Sequence, residues 1–240
     1  MKHVLAFPKA LWDDWSLSRN PNITQADVSQ QREWCWQFLQ TNPNFTIEYM
    51  LANPHLPLHW DIMSENPSVT FEHVLMYLDK PWNWESVSRN PNIIRLKHVL
   101  AYPSLPWEWN ELSQHPNISF HDILAHHELP WNWEYVSRNP NVTMKDVEAH
   151  PERPWHWRLL SENPSIIAND VIKHIDKPWN WGRLSINKFK KNKFVARRMI
   201  VKWWRAVLIR IRVTKIAACT KALKKYTRSK YLHHNVIMFL

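Results

Sequence analysis

Apolar and polar positions follow a helical period along most of this chain, in a phrase that recurs about every 24 residues. In one copy, Trp84, Val87 and Ser88 stand at i, i+3 and i+4, so they share one helical face. Asn90 and Pro91 follow, and the residue before a proline is pushed out of the α region. The pattern therefore predicts one short helix in each copy, ending at an Asn-Pro turn.

A second short helix is predicted after each Asn-Pro turn. Hydroxyl residues stand where they can cap its free N–H groups, at Thr24, Thr46, Thr70, Ser119 and Thr143. Apolar residues follow inside it at Val28, Met50, Val74, Val99, Ile123, Val147 and Val171. Each copy of the phrase is thus expected to form a pair of short helices.

The copies align on one polar position, which falls at Ser18, Gln40, Ser64, Ser88, Ser113, Ser137, Ser161 and Ser185. So regular a period predicts a solenoid, in which each unit buries its apolar face against its neighbours. We predict an all-α solenoid of about eight helix pairs over residues 1–187, followed by a basic helical tail over 188–240. A parallel β solenoid is disfavoured because proline falls in every unit. The expected repeat core is Trp84, Val87, Trp109, Leu112, Trp133, Val136, Trp157 and Leu160. Trp84 is expected to be buried, and Trp82 to pack on a neighbouring unit.

The phrase resembles two kinds of known repeat. The 24-residue spacing and the helix that ends in Asn-Pro resemble the leucine-rich variant repeat, a superhelix of short helices. The "PWNWESVSRNPN" stretch and its copies more closely resemble tandem repeats of uncharacterised proteins of large DNA viruses, such as mimivirus- and iridovirus-like agents. The resemblance spans residues 1–187 and implies a repeat fold and a viral setting. It implies no activity.

Composition and charge separate the chain into two regions. It contains one glycine, 17 tryptophans and 17 prolines, which disfavours the glycine-rich phosphate loops of nucleotide enzymes. Residues 1–176 hold 13 basic and 21 acidic residues, a balance of −8, whereas 18 Lys and Arg and no acid follow from Lys177 onward. A partner of the basic tail is therefore expected to be anionic.

The tail also has amphipathic character. Ala196, Ile200, Trp203, Trp204, Val207 and Ile211 share one face of a predicted helix, largely opposite the cationic residues. Such a helix is typical of segments that bind nucleic acid, an anionic membrane surface or a calmodulin-like partner. The candidate polyanion-binding residues are Lys190, Lys191, Lys193, Arg197, Arg198, Lys202, Arg205, Arg210 and Arg212. The tail's apolar face is alternatively expected to cap the last repeat, which leaves its basic face open to a partner.

The calmodulin-like alternative depends on a local match to the IQ pattern. Ile200, Arg205 and Arg210 have its spacing, but Val201 replaces the glutamine and Ala206 the glycine. The missing glutamine removes a central contact of that pattern.

No residue cluster predicts an enzyme, a cofactor, a metal or a small-molecule substrate. His121, His126, His127 and Glu128 gather in one copy, but other copies carry different residues there, so we expect solvated or capping histidines. The serine of the repeat recurs in seven copies without a G-x-S-x-G elbow, which is unlike a nucleophile. The two cysteines are too few for a zinc cluster or a disulfide framework.

The sequence predicts a non-catalytic scaffold or interaction protein of a large DNA virus, with a basic tail that contacts an anionic partner. The alternative is a nucleic-acid-binding protein that acts through this tail. Proline and lysine interrupt the first apolar stretch, so no secretory signal is expected, and no run of 18 apolar residues predicts a membrane span. We expect the protein in the host cytoplasm or the virion.

Overall fold

The computed structural model describes residues 13–28 and 34–187, and every regular element in these two ranges is a short α-helix. The helices are α1 (Asp14–Ser18), α2 (Gln25–Val28), α3 (Trp36–Leu39), α4 (Ile47–Ala52), α5 (Trp60–Met63), α6 (Phe71–Met76), α7 (Trp84–Arg89), α8 (Leu96–Ala101), α9 (Trp109–Ser113), α10 (Phe120–Ala125), α11 (Trp133–Val136), α12 (Met144–Ala149), α13 (Trp157–Leu160), α14 (Ala168–Lys173) and α15 (Trp181–Ile186). The prediction of an all-α repeat solenoid is confirmed.

Odd-numbered helices carry the tryptophans and are called the Trp helices; the even-numbered ones are the second helices. A polar side chain caps many of them. The Asn83 side chain accepts from the backbone N of Ser86 at 3.0 Å at the start of α7. At the start of α10, Ser119 Oγ accepts from the backbone N of Asp122 at 3.1 Å, and the Asp122 carboxylate accepts from the backbone N of Ser119. These caps satisfy free N–H groups of helices too short to be stable alone.

Consecutive Trp helices stack on one another, as seen for α1 with α3, α7 with α9 and α9 with α11. One apolar position of every Trp helix after α1 is fully buried in the stack, at Leu39, Met63, Val87, Leu112, Val136, Leu160 and Leu184. One apolar position of every second helix after α2 is buried beside it, at Met50, Val74, Val99, Ile123, Val147 and Val171. A single core of buried residues therefore runs through the array from Ile47 to Leu184.

The two tryptophans of each unit play different parts. Trp82 is 6% exposed, whereas Trp84 is only partly buried. Trp82 packs edge-on against Trp60 of the preceding unit at 5.1 Å between ring centroids, as expected for contact with a neighbouring unit. Its indole N–H donates to the carbonyl of Tyr77 at 2.8 Å. Contrary to the expectation for Trp84, the first tryptophan of the pair is the buried one, because it is enclosed between two units.

The expected core residues divide in the same way. Val87, Leu112, Val136 and Leu160 are fully buried, whereas Trp84, Trp109, Trp133 and Trp157 are partly buried and pack against the core from its edge. Each of these four tryptophans makes a perpendicular contact with the first tryptophan of the next unit, at 5.0 to 5.4 Å. Aromatic pairs favour this edge-to-face geometry.

Candidate protein-binding groove

The asparagine of each Asn-Pro turn bonds to the unit before it. Asn163 Nδ2 lies within hydrogen-bond distance of three carbonyls of the preceding unit: Ser137 at 3.1 Å, Asn139 at 2.8 Å and Val142 at 3.1 Å. Its Oδ1 accepts from the backbone N of Ser165 at 2.8 Å. The asparagine thus closes its own turn and satisfies buried carbonyls of its neighbour. Asn42, Asn66, Asn90, Asn139 and Asn187 also donate backward in the stack.

The serine of each Trp helix bonds to the unit after it. Ser137 Oγ accepts from the backbone N of His156 at 2.9 Å and donates to the carbonyl of Trp133, also at 2.9 Å. Gln40 replaces the serine in one unit, and its Oε1 accepts from the backbone N of His59 at 2.6 Å. The recurring serine is therefore a structural element of the stack. Sequence reasoning missed this role and that of the asparagine, although the recurrence of both residues was visible.

His115 stands where the other turns have asparagine. It is 1% exposed; its Nδ1 accepts from the backbone N of Asn117 at 3.1 Å, and its Nε2 is buried without a hydrogen-bond partner. Burial lowers the pKa of this imidazole to about 4, although the carbonyls of Asn90 and Arg89 favour the protonated ring. The ring is therefore neutral at pH 7.

A groove follows the Asn-Pro turns from unit to unit. Its larger part has a volume of about 750 Å³, and its smaller part about 440 Å³. Arg89 lines both parts, so the two parts are adjacent. We call this the turn groove; among the residues that line it are Glu65, Pro67, Arg89, Pro91, Glu111, Pro116, Arg138, Pro140, Glu162, Pro164 and Arg183.

Arginine and glutamate side chains pair along the turn groove. Glu162 bridges two arginines, with Arg183 Nε at 3.1 Å from one carboxylate oxygen and Arg138 Nε at 3.5 Å from the other. Arg89 Nε donates to Glu111 at 3.1 Å, and its terminal nitrogen pairs with Glu85. The pairs hold the guanidinium groups in fixed positions across neighbouring units.

The cations of these pairs are more accessible than their partners. The side chains of Arg89, Arg138 and Arg183 are 53%, 49% and 41% exposed, against 15% for Glu111 and 13% for Glu162. Partial burial alone would lower the pKa of Arg89, but hydrogen bonds and charges of Glu111 and Glu85 raise it above its ordinary value. Whatever enters the groove there meets guanidinium groups before carboxylates.

The terminal nitrogens of Arg138 and Arg183 make no hydrogen bond to any residue that the structure describes. In both side chains the pairing with Glu162 uses Nε, so the fork of two terminal N–H groups is left for another acceptor. That fork matches the two oxygens of a carboxylate. These forks are therefore chemically suited to acidic groups.

Among the candidate histidines, His121 and His127 are exposed and His126 is partly buried. His126 lies 3.2 Å from Glu128, and the side chain of His127 is 73% exposed. Within 13–28 and 34–187, no group of three or more His, Cys, Asp or Glu is placed to hold a metal ion. None of the helices there has the length and apolar character to cross a membrane.

All nine candidate polyanion-binding residues, from Lys190 to Arg212, lie outside the described residues, as do the tail helix and the IQ-like match. The alternatives that rest on them, including nucleic acid, an anionic membrane surface and a calmodulin-like partner, stay predictions.

Comparison with known proteins does not name this fold. No family model, no curated protein and no solved structure matches the chain.

Proposed function

We propose that this chain is a non-catalytic repeat protein that binds an extended, acidic polypeptide segment in its turn groove. The observation that supports this most directly is that Arg138 and Arg183 line an open groove while one nearly buried glutamate pairs with the Nε of both, which leaves their terminal forks to another acceptor. An extended segment suits a groove that crosses several units, because it can meet one arginine after another. This makes specific the role of scaffold or interaction protein expected from the sequence.

A peptide fits the charges of the array better than a nucleic acid does. Residues 1–176 carry a balance of −8, and Glu65, Glu111 and Glu162 stand between the arginines of the groove. A continuous phosphate backbone would meet these carboxylates at close range. Isolated acidic side chains on a peptide can instead pair with individual arginines.

The proposal is tested by selecting linear peptides from a random display library on the full-length protein. We expect enrichment of acidic residues among the selected peptides. Binding should weaken about tenfold or more in Arg138→Gln/Arg183→Gln, because a hydrogen bond to a charged group contributes roughly 1.5–3 kcal/mol. Dissociation constants are measured by fluorescence anisotropy with the best selected peptide.

The matched control is Lys97→Gln/Lys145→Gln, which removes the same charge from exposed positions on α8 and α12. This variant should bind like the unmodified protein. If the selected peptides show no acidic preference, or both double variants bind equally well, the turn groove is not the binding site. Circular dichroism checks that both variants are folded.

A second candidate function is nucleic-acid binding through the basic tail, favoured by 18 Lys and Arg without one acid from Lys177 to Leu240. Here the full-length protein is titrated with duplex DNA over a range of salt concentrations. Counterion release predicts a steep loss of affinity with salt, with a slope near −0.9 per phosphate contacted. Affinity that does not change with salt would exclude this function. The viral setting, implied only by the resemblance, also stays a prediction.

A further inference from the structure

A second concave site lies beside the second helix α12. It has a volume of about 470 Å³ and is lined by α12, by the stretch from Pro151 to Trp157 and by the loop that follows α14. Its walls include Met144, Val147, Trp155 and Trp157, and we call it the Trp pocket. Among the described residues, it shares none with the lining of the turn groove. Its volume lies in the range of small-molecule sites, which are lined mainly by apolar and aromatic side chains.

An aromatic ring fills the corresponding space in other units. The ring of Phe120, the first residue of α10, lies 6.4 Å from that of Trp133 and 5.6 Å from that of His150, measured between centroids. Phe71, the first residue of α6, meets Tyr102 in the same way at 5.4 Å. In these units the space between neighbours is therefore occupied by the protein's own ring.

Met144 holds this place on α12. Trp157 and His174 stand 24 residues after Trp133 and His150, and both line the Trp pocket together with Met144. Since methionine has no ring, the pocket can receive one from a ligand, in contact with the Trp157 indole. Aromatic pairs of this kind are favourable beyond the apolar area that they bury.

Two cations also line the Trp pocket, Arg153 and Lys177. The Arg153 guanidinium lies over the ring of Trp133, 4.9 Å from its centroid, and Lys177 Nζ lies 5.8 Å from the centroid of Trp157. Arg153 Nε is buried without a hydrogen-bond partner. A buried donor on a charged group is costly to leave unpaired, and a ligand with an anionic group can supply the acceptor.

The carboxylates near these cations leave the pocket itself positively charged. Glu152 and Asp176 lie 3.5 Å and 3.8 Å from the two cations, but both acids are exposed and neither lines the pocket. Glu148 does line it, and its carboxylate is paired with His174 Nε2 at 2.6 Å. An entering anion therefore meets cations whose acidic neighbours face solvent.

We propose that the Trp pocket binds a small aromatic acid, whose ring fills the space beside Met144 and whose carboxylate pairs with Arg153 and Lys177. An aromatic cation would be repelled by the same two residues, and an aliphatic acid would lack the ring contacts with Trp157. The sequence did not predict this ligand, because the pocket forms only when α12 and the loop after α14 lie side by side. The inference is independent of the proposed function of the turn groove.

The test is a ligand-observed NMR titration of the full-length protein with 2-naphthoate. We expect a dissociation constant of about 1 mM or lower, the range for a ligand of this size. The compound 2-naphthylmethanol keeps the rings without the charge, and cyclohexanecarboxylate keeps the charge without an aromatic ring. Each should bind several-fold more weakly than 2-naphthoate. Equal affinity for all three compounds, or no binding of 2-naphthoate, overturns the proposal.

Met144→Phe is the first variant, because it supplies the ring that Phe120 provides in the corresponding place. It should abolish measurable binding of 2-naphthoate and leave the protein folded, which circular dichroism checks. Unchanged binding in this variant overturns the proposal.

Lys177→Gln gives a second measurement at an exposed position, where the substitution does not disturb the core. It should weaken 2-naphthoate binding about tenfold, because it removes a charged partner of the carboxylate. The matched control is Lys173→Gln, which removes the same charge from an exposed position on α14 outside the pocket and should leave binding unchanged. Equal affinity of the two lysine variants for 2-naphthoate also overturns the proposal.

Discussion

The turns at Asn163 and His115 occupy equivalent places in the array, but they differ in their hydrogen bonds to the preceding unit. Asn163 Nδ2 reaches three carbonyls of the preceding unit. The His115 ring fills the same position and leaves Nε2 buried without a partner. Both side chains still accept a hydrogen bond from the backbone two residues on. The turn therefore needs only an acceptor, whereas the contact between units needs the amide donor.

An additional residue in the preceding unit accompanies this difference. The spacing from Ser88 to Ser113 is 25 residues, one more than between most neighbours, and both Ile93 and Ile94 are fully buried. The additional residue follows Asn90, so the carbonyl of Asn90 still lies beside the His115 ring, as that of Asn139 lies beside Asn163. A second contact of the same turn is kept, because Asn117 Nδ2 still donates to the carbonyl of Ile94 at 3.0 Å. The array thus absorbs an insertion where one asparagine is missing.

Breaking the regular turn should have the largest effect. We expect Asn163→Ala to lower the free energy of unfolding by about 3 kcal/mol, because it leaves buried carbonyls of the preceding unit unpaired. Urea unfolding measures the loss. Asn169→Ala at an exposed position of α14 is the control and should lower stability by less than about 0.5 kcal/mol. A similar small change for both variants would contradict the role of the asparagine.

Acid should lower the free energy of unfolding through the turn at His115. The pKa of His115 is about 4 in the folded chain and about 6.5 for a histidine in an unfolded chain, so the unfolded state binds more protons between these values. Stability from this group is complete above pH 6.5 and decreases as the pH falls towards 4, by roughly 3 kcal/mol. Comparing wild-type protein with His115→Asn at pH 7 and pH 4 isolates this contribution. Parallel pH profiles of the two proteins would refute it.

The hydrogen bonds of Ser113 and Ser137 should contribute equally to stability. Ser113 Oγ accepts from the backbone N of Asn132, and Ser137 Oγ from that of His156, each at 2.9 Å. We expect Ser113→Ala and Ser137→Ala to cost about 2 kcal/mol each, since each leaves a backbone N–H unpaired. Chemical unfolding of both variants tests this. A much smaller cost at Ser113 would mean that the interface near His115 differs in more than the replacement of asparagine by histidine.

Restoring asparagine should have the smallest effect. At pH 7 we expect His115→Asn to raise the free energy of unfolding by about 1 kcal/mol, the net contribution of one intramolecular hydrogen bond. Thermal and urea unfolding both measure this gain. A loss of stability would show that the carbonyls of the preceding unit are out of reach of the shorter side chain.

Much of the fold could be predicted from the chain alone. The period of the phrase, the Asn-Pro stops and the cap at Ser119 depend on residues close in sequence, so local rules located the helix pairs. The turn groove could not be predicted, because Arg138 and Glu162 meet only after the units have stacked. The same is true of Ser137, whose recurrence disfavours a nucleophile without indicating its partner 19 residues ahead.

By itself, the sequence determined the repeat, its helical character and the separation of acidic and basic regions, because each of these features depends on residues close in sequence and on their spacing. The tertiary structure decided which tryptophan is enclosed, since Trp82 and Trp84 are equally apolar and only the geometry of stacking distinguishes them. It also decided that asparagine connects one unit to another. Asn163 bonds across 21 to 26 residues, and such contacts arise only when two units are fixed side by side.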